Sequence, residues 1–211
     1  QRLQPVFQHE VPQQAFADFR DCDALIEAIR RTLTAAHTYG HDDGLGVLLE
    51  PADHAWCTPW HRDWRDNVAG LDIERWRLDM HDTDLFNQLN GALYEDGSTW
   101  VVPGSHLRPD LPSEVARFPE RPIPGPDLEG LRPAARERVC RDYCRSMSGA
   151  VPLQLSSGDV CLYRNTLWHI GSYVPWRRRA TLHDFVDTPR FRSWRKAESA
   201  AAAQRREAGA G

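Results

Sequence analysis

The sequence predicts a mainly β protein with flanking helices, folded as a double-stranded β-helix, the double-sheet jelly roll. Two features carry this expectation. Short apolar runs of strand length, separated by Gly-, Asp- and Pro-rich turns, dominate both halves of the chain. The regular strand–helix alternation that a doubly wound α/β fold requires is missing. A length of 211 residues suits one domain around one sizeable core.

In chain order, residues 22–36 (CDALIEAIRRTLTAA) set Leu25, Ile26, Ile29 and Leu33 on one helical face, with Asp23 near the start. A Gly/Asp turn cluster follows, and then a strand over residues 46–50 (GVLLE). In WCTPWHRDW, Pro59 marks the edge or the entry of a strand. Residues 85–94 (LFNQLNGALY) and 100–102 (WVV) flank the turn EDGS and predict a hairpin. Prolines gather from Pro103 to about Val151, with a helix through AARERVCRDYCRSM. Residues 107–150 form an insertion with the length and composition of a lid or substrate loop. LQLSSGDVCLYR, TLWHIGSYV and ATLHDFV supply the remaining strands. The domain is expected to span residues 1–195, and 196–211 to be a low-complexity tail, frayed helix or disordered. The first residue is Gln rather than Met, so natural residues are expected to precede it.

Charged residues make up 27% of the chain and hydrophobic ones 41%, with a net charge of −4. Such a balance gives no general pull toward nucleic acid or an anionic membrane. No apolar run approaches the ~20 residues of a membrane span, and no signal-peptide pattern opens the chain. Five scattered cysteines do not make a disulfide framework, and Cys140 and Cys144 lack the partner pair of a zinc site. Reduced thiols in a cytoplasmic protein are expected, with a small molecule as partner.

The chemistry is carried by histidines and a carboxylate. Alternate residues of a strand share a face, so His-x-Asp on a strand offers imidazole and carboxylate to one ion. A second histidine from a distant strand completes a facial triad with open positions, the pattern of non-haem Fe(II) oxygenases. His-x-Asp occurs twice, at His41-Asp42-Asp43 and His61-Arg62-Asp63. The first lies among glycines in a solvated turn. The second follows an apolar strand between Trp60 and Trp64. For the distal ligand, His106 belongs to a Pro-Gly-Ser-His turn, His81 to an exposed MHDTD, and His183 is a candidate buried neighbour. His169, flanked by apolar residues after the segment Gly158–Tyr163, is favoured by spacing.

Three stretches together resemble the phytanoyl-CoA dioxygenase (PhyH) family of Fe(II)/2-oxoglutarate oxygenases. TPWHRDW (58–64) resembles the proximal His-x-Asp strand. GALYEDGSTWVVPGSH (91–106) resembles the stretch from a small-aliphatic strand end to Pro-Gly-Ser-His. GDVCLYRNTLWHIGS (158–172) with RRRATLHDF (177–185) resembles the Gly-Asp strand, distal histidine and 2-oxoglutarate arginine.

The resemblance implies iron ligands His61, Asp63 and His169, with 2-oxoglutarate and O2 as co-substrates. It implies a salt bridge from one of Arg177, Arg178 and Arg179 to the distal carboxylate of 2-oxoglutarate, and the count to Phe185 selects Arg178. Gln88, Asn90 and Ser172 are further candidate co-substrate contacts. Trp60, Trp64, Trp100 and Trp168 are candidate site walls. The implied activity is hydroxylation, or another oxidation, of an unactivated C–H bond in a small molecule, with secondary metabolism as one setting. Asp63 argues against the related halogenases, which carry a small residue there. The competing reading is a cupin-like non-redox metal protein, an isomerase or binding module, which has no need of the arginine.

Overall fold

A computed structural model describes residues 2–120 and 122–209. Two antiparallel sheets, flanked by helices, hold a cavity between them. The five-stranded sheet runs in the order β1 (Arg2–Leu3), β2 (Gly46–Leu49), β9 (Ala180–Phe185), β4 (Asn87–Ala92), β7 (Val160–Arg164). The four-stranded sheet runs β3 (Trp56–Cys57), β8 (His169–Tyr173), β5 (Thr99–Val101), β6 (Val151–Pro152).

Side-chain alternation sorts each sheet into a packed face and a cavity face. On the five-stranded sheet, Leu89, Leu162 and Leu182 pack outward. Helices α1 (Gln13–Arg20) and α2 (Asp23–Thr32) cover them with Phe16, Phe19, Leu25, Ile26 and Ile29. The helical stripe expected over 22–36 is therefore the buried one. The outer face of the four-stranded sheet carries Cys57, Trp100 and Ile170. It lies under α5 (Pro133–Arg145) and the segment after α4 (Pro112–Arg117), through Phe118, Ile123, Cys140, Cys144 and Met147. A third cluster joins α3 (Ile73–Asp79) to α6 (Pro189–Gly209) through Trp76, Met80, Phe86, Phe191 and Trp194.

Several expectations change. The strands over 85–102 exist but are not a hairpin: β4 pairs with β7 and β9, whereas β5 pairs with β6 and β8. The EDGS turn instead crosses from one sheet to the other, where Asp96 bridges to Leu155. The boundary drawn at residue 195 falls inside α6, a helix of 21 residues. Its alanine-rich part packs because Ala202 is 1% exposed and its carbonyl lies against Gly70, at 2.5 Å from where a Cβ would stand. Residues 210 and 211 of the tail lie outside the described residues. Among the described residues of 107–150, none lines the cavity between the sheets. Phe118, Ile123, Cys140, Cys144 and Met147 of that segment pack against the four-stranded sheet, whereas Leu107, Leu111 and Val115 are exposed. No described helix is long and apolar enough to cross a membrane, and all five cysteines are free.

Candidate metal centre and its cavity

His61, Asp63 and His169 converge, with one ligand atom from each all within 4.8 Å of one another. Asp63 Oδ1 stands 3.5 Å from His61 Nε2 and 3.9 Å from His169 Nε2. His169 opens β8, and its backbone exchanges hydrogen bonds with His61 at 3.0 and 3.1 Å. His61 is thus a single bridge beyond the end of β3. The chain leaves extended structure there, so Asp63 reaches the site from a turn rather than from the strand assumed for His-x-Asp.

The donor set fits a metal ion. His61 Nδ1–H donates to the Pro59 carbonyl at 2.8 Å and His169 Nδ1–H to the Leu167 carbonyl at 3.0 Å. Both rings are thereby oriented with Nε2 lone pairs toward the carboxylate, as metal-ligating histidines require. Burial, with His61 beside it, lowers the pKa of His169 to about 4. The imidazole is therefore neutral near pH 7 and keeps its lone pair. Two imidazoles and a carboxylate on one side of an ion leave positions open for substrates.

The turn after Asp63 is strained. Trp64 has φ 69°, a left-handed conformation costly for a bulky residue. Asn67 holds it: its Oδ1 accepts the Trp64 N–H at 2.7 Å, and its Nδ2 donates to Asp63 Oδ1 at 2.9 Å. Between the two ligands, Arg62 points the other way, fully buried. It donates to the carbonyls of Ser105 (2.8 Å) and Thr166 (2.9 Å) and pairs with Asp110 at 3.0 Å.

The triad lines a cavity of about 560 Å³ between the sheets. On β9 the cavity face is odd-numbered. Arg179, His183 and Phe185 line the space, while Leu182 packs against the helices and Asp184 binds the backbone of Gly40. The same parity, carried one residue before β9, puts Arg179 and not Arg178 on the cavity side. Arg178 is exposed and lies over the Tyr94 ring, outside the cavity. Arg179 is 6% exposed, lines the cavity, and pairs through Nε with Asp96 at 3.0 Å. Burial opposes the charge on Asp96. Arg179, Ser98 and Thr181 outweigh it and hold the carboxyl below its ordinary pKa.

By the same alternation Ser172 faces Cys144 and a second, smaller cavity. Gln88 and Asn90 do line the metal cavity, but both spend an amide N–H on the Tyr163 hydroxyl, at 2.5 and 3.3 Å. Gly171 lines the cavity, and a Cβ there would meet the Tyr173 hydroxyl at 1.8 Å. Tyr173, Trp56, Trp64, Phe185, Leu48 and Leu49 supply the apolar walls. Of the four tryptophans expected there, only Trp64 contributes. Trp60 and Trp168 are fully buried in the core beneath the four-stranded sheet, and Trp100 packs against it.

The remaining histidines separate cleanly. His183 lines the cavity, with Nδ1 2.8 Å from Asn90 Oδ1 and its pKa pushed to about 3, chiefly by burial. His106 lies in a 3-10 turn with Nδ1 buried and unpartnered, so hydrogen bonding in the turn falls to Ser105, whose Oγ accepts the Trp168 N–H at 2.8 Å. His81 is exposed. Tyr163 lines the cavity without any motif to signal it, and the motifs name His183 and Arg179 as candidates without selecting either. Period-two alternation from Phe185 back along β9 contains the signal for the last two.

The family model described as phytanoyl-CoA dioxygenase (PhyH) matches residues 5–173. The chain belongs to this family. No curated protein matches its sequence. Its fold is similar to that of EvdMO1, with 21% identity over 88% of this chain and 35% of that one, and a TM-score of 0.52. It is also similar to AviO1 from Streptomyces viridochromogenes Tue57 (17% identity, 89% and 68% covered, TM-score 0.52). A third likeness is HygX from Streptomyces hygroscopicus, solved with nickel, 2-oxoglutarate and hygromycin B (18% identity, 89% and 70% covered, TM-score 0.53). The chain spans only 35% of the EvdMO1 chain.

Proposed function

We propose that this protein hydroxylates, or otherwise oxidises, an unactivated C–H bond of a small molecule, using Fe(II), 2-oxoglutarate and O2. In this reading the sheets form the double-stranded β-helix of such enzymes. The observation that carries it is a facial His61–Asp63–His169 set and a buried, cavity-facing Arg179 on the walls of one space. A cupin-like non-redox metal protein has the first feature and no use for the second.

His61 and His169 hold the ion through Nε2, and Asp63 through a carboxylate oxygen. Bound Fe(II) supplies O2 activation at the electron cost of the 2-oxo acid. The chain does the rest. Arg179 anchors the distal carboxylate of 2-oxoglutarate with a charge-assisted hydrogen bond, and Asp96 keeps its guanidinium in place. The Pro59 and Leu167 carbonyls hold the imidazoles in one orientation. Trp56, Trp64, Tyr173 and Phe185 exclude water and present an apolar surface to the substrate. A cavity of about 560 Å³ is of the size that takes a small molecule.

The test is an anaerobic titration of the iron-loaded protein with 2-oxoglutarate, following the visible metal-to-ligand charge-transfer band. The expected result is a band in the wild type, its loss in His61→Ala, and a right-shifted titration in Arg179→Ala. A folded, iron-loaded wild type without a band would transfer the assignment to the non-redox metal protein.

A further inference from the structure

Asp63 and Trp64 are neighbours in the chain, yet both line the metal cavity. In extended backbone, successive side chains point to opposite sides of the strand. A metal ligand and an aromatic wall residue share this space because the chain turns left-handed at Trp64, with φ 69°. Two costs fall on that residue. Its bulk disfavours the conformation, and its indole Nε1 is buried with no hydrogen-bond partner among the described residues. Such a turn persists only where its surroundings over-determine it. The ring is held by edge-to-face contacts with Phe191 and Trp194, at centroid distances of 5.7 and 5.1 Å. The backbone N–H is held by Asn67.

The Asn67 amide has one possible orientation. Only its oxygen can accept the Trp64 N–H, at 2.7 Å, and only its nitrogen can donate to the Asp63 carboxylate, at 2.9 Å. The reversed amide would set donor against donor and acceptor against acceptor. The oxygen it binds is Asp63 Oδ1, the same atom that stands 3.5 Å from His61 Nε2 and 3.9 Å from His169 Nε2. One lone pair of Oδ1 is thus taken by a neutral donor, and another is left for an ion between the imidazoles.

We propose that Asn67 is the positioning residue of the metal centre: its amide aims Asp63 Oδ1 at the ion and, through the Trp64 N–H, locks the turn that carries this ligand. The inference rests on the metal-centre reading above. Asp63 needs such a clamp more than the histidines do. His169 stands on β8 and His61 is bridged to it, whereas Asp63 lies in a turn, where no sheet ladder fixes its direction. The imidazoles are aimed by backbone carbonyls and the carboxylate by a side-chain amide, so each ligand has its own neutral partner. Asn67 touches no reacting atom and acts through Asp63.

The experiment titrates Fe(II) under argon into metal-free wild type and Asn67→Ala, records the melting temperature of each without metal, and compares the visible ligand-field bands of the Co(II)-loaded proteins. Asn67 is exposed, so truncating it opens no cavity and the variant is expected to fold. Asn67→Ala is expected to raise the Kd for Fe(II) about 10-fold, as for partners that orient a metal ligand. It is also expected to displace the Co(II) bands, which report the ligand geometry. Wild-type Kd and bands in Asn67→Ala overturn the assignment. A lowered melting temperature with Kd and bands unchanged overturns it too, and leaves the amide a brace of the turn alone. A wild type that binds no Fe(II) overturns the metal-centre reading itself.

Discussion

Two segments of this chain spell His-x-Asp, and the fold places them in different surroundings. In His41-Asp42-Asp43, the imidazole turns to the buried Asp187 at 2.9 Å, and the carboxylates of Asp42 and Asp43 meet Arg20 and Arg195 in solvent. In His61-Arg62-Asp63, the imidazole is held by a backbone carbonyl, a second histidine faces it, and the carboxylate has no arginine on it. The middle residues differ most. Asp42 has a side chain 80% exposed, whereas Arg62 is fully buried. A metal centre therefore needs more than ligand types. It needs imidazoles whose other nitrogen donates to a neutral carbonyl, a carboxylate held by a neutral amide, and a rigid buried anchor between them.

The largest effect expected from this contrast is on stability. Arg62→Met leaves the Ser105 and Thr166 carbonyls without their donor and the Asp110 carboxylate with Arg65 as its one remaining cation. Breaking such a buried pair costs about 3–5 kcal/mol. Asp42→Ala, at an exposed pair, is expected to change stability by less than about 1 kcal/mol. Urea denaturation of both variants checks this, and a loss below about 1 kcal/mol for Arg62→Met would erase the distinction.

Next in size is the arginine pair. Arg179→Ala is expected to weaken 2-oxoglutarate binding about 10- to 100-fold, the range for a charge-assisted hydrogen bond. Arg178→Ala, outside the cavity, is expected to leave it unchanged. Equal effects in equilibrium binding would mean that strand alternation does not select the anchor.

The smallest effect belongs to the structural copy. The Asp187 hydrogen bond raises the His41 pKa above its ordinary value of 6.5, against the opposing pull of burial. A raised folded-state pKa means that the stabilisation is complete below 6.5 and is lost as pH rises through the raised value. Asp187 also pairs with Arg192, and Asp184 accepts the His41 backbone N–H at 3.2 Å. Burial lifts Asp184 from 3.8 to about 6, so its contribution has the same sign but lies lower. Thermal melts of wild type and His41→Gln above pH 6.5 should converge as pH rises, and parallel curves would remove the ion pair from the account.

How much of this was legible in the sequence follows from which signals are local. The helix over 23–32 and strands β2, β4, β8 and β9 show in apolar periodicity, because burial of one face imposes it. The apparent hairpin was misleading because EDGS is good turn chemistry in any context. Pairing partners are set by the opposite sheet, which no local pattern reports. For helix α6 the low-complexity alanine run leaves frayed helix and disorder both open, because its packing depends on the close approach of Gly70. The iron-ligand candidates were legible from motif and order. Counting to Phe185 points to Arg178, whereas strand parity with Phe185 puts Arg179 on the cavity face.

The central claim is that the second His-x-Asp, with His169, is the metal centre. Calorimetric titration of the apoprotein with Fe(II) under argon, alongside His61→Ala and His41→Ala, tests it most directly. The account predicts one site in the wild type, undiminished in His41→Ala and lost in His61→Ala. Wild-type affinity in His61→Ala, or loss of the site in a folded His41→Ala, would contradict it.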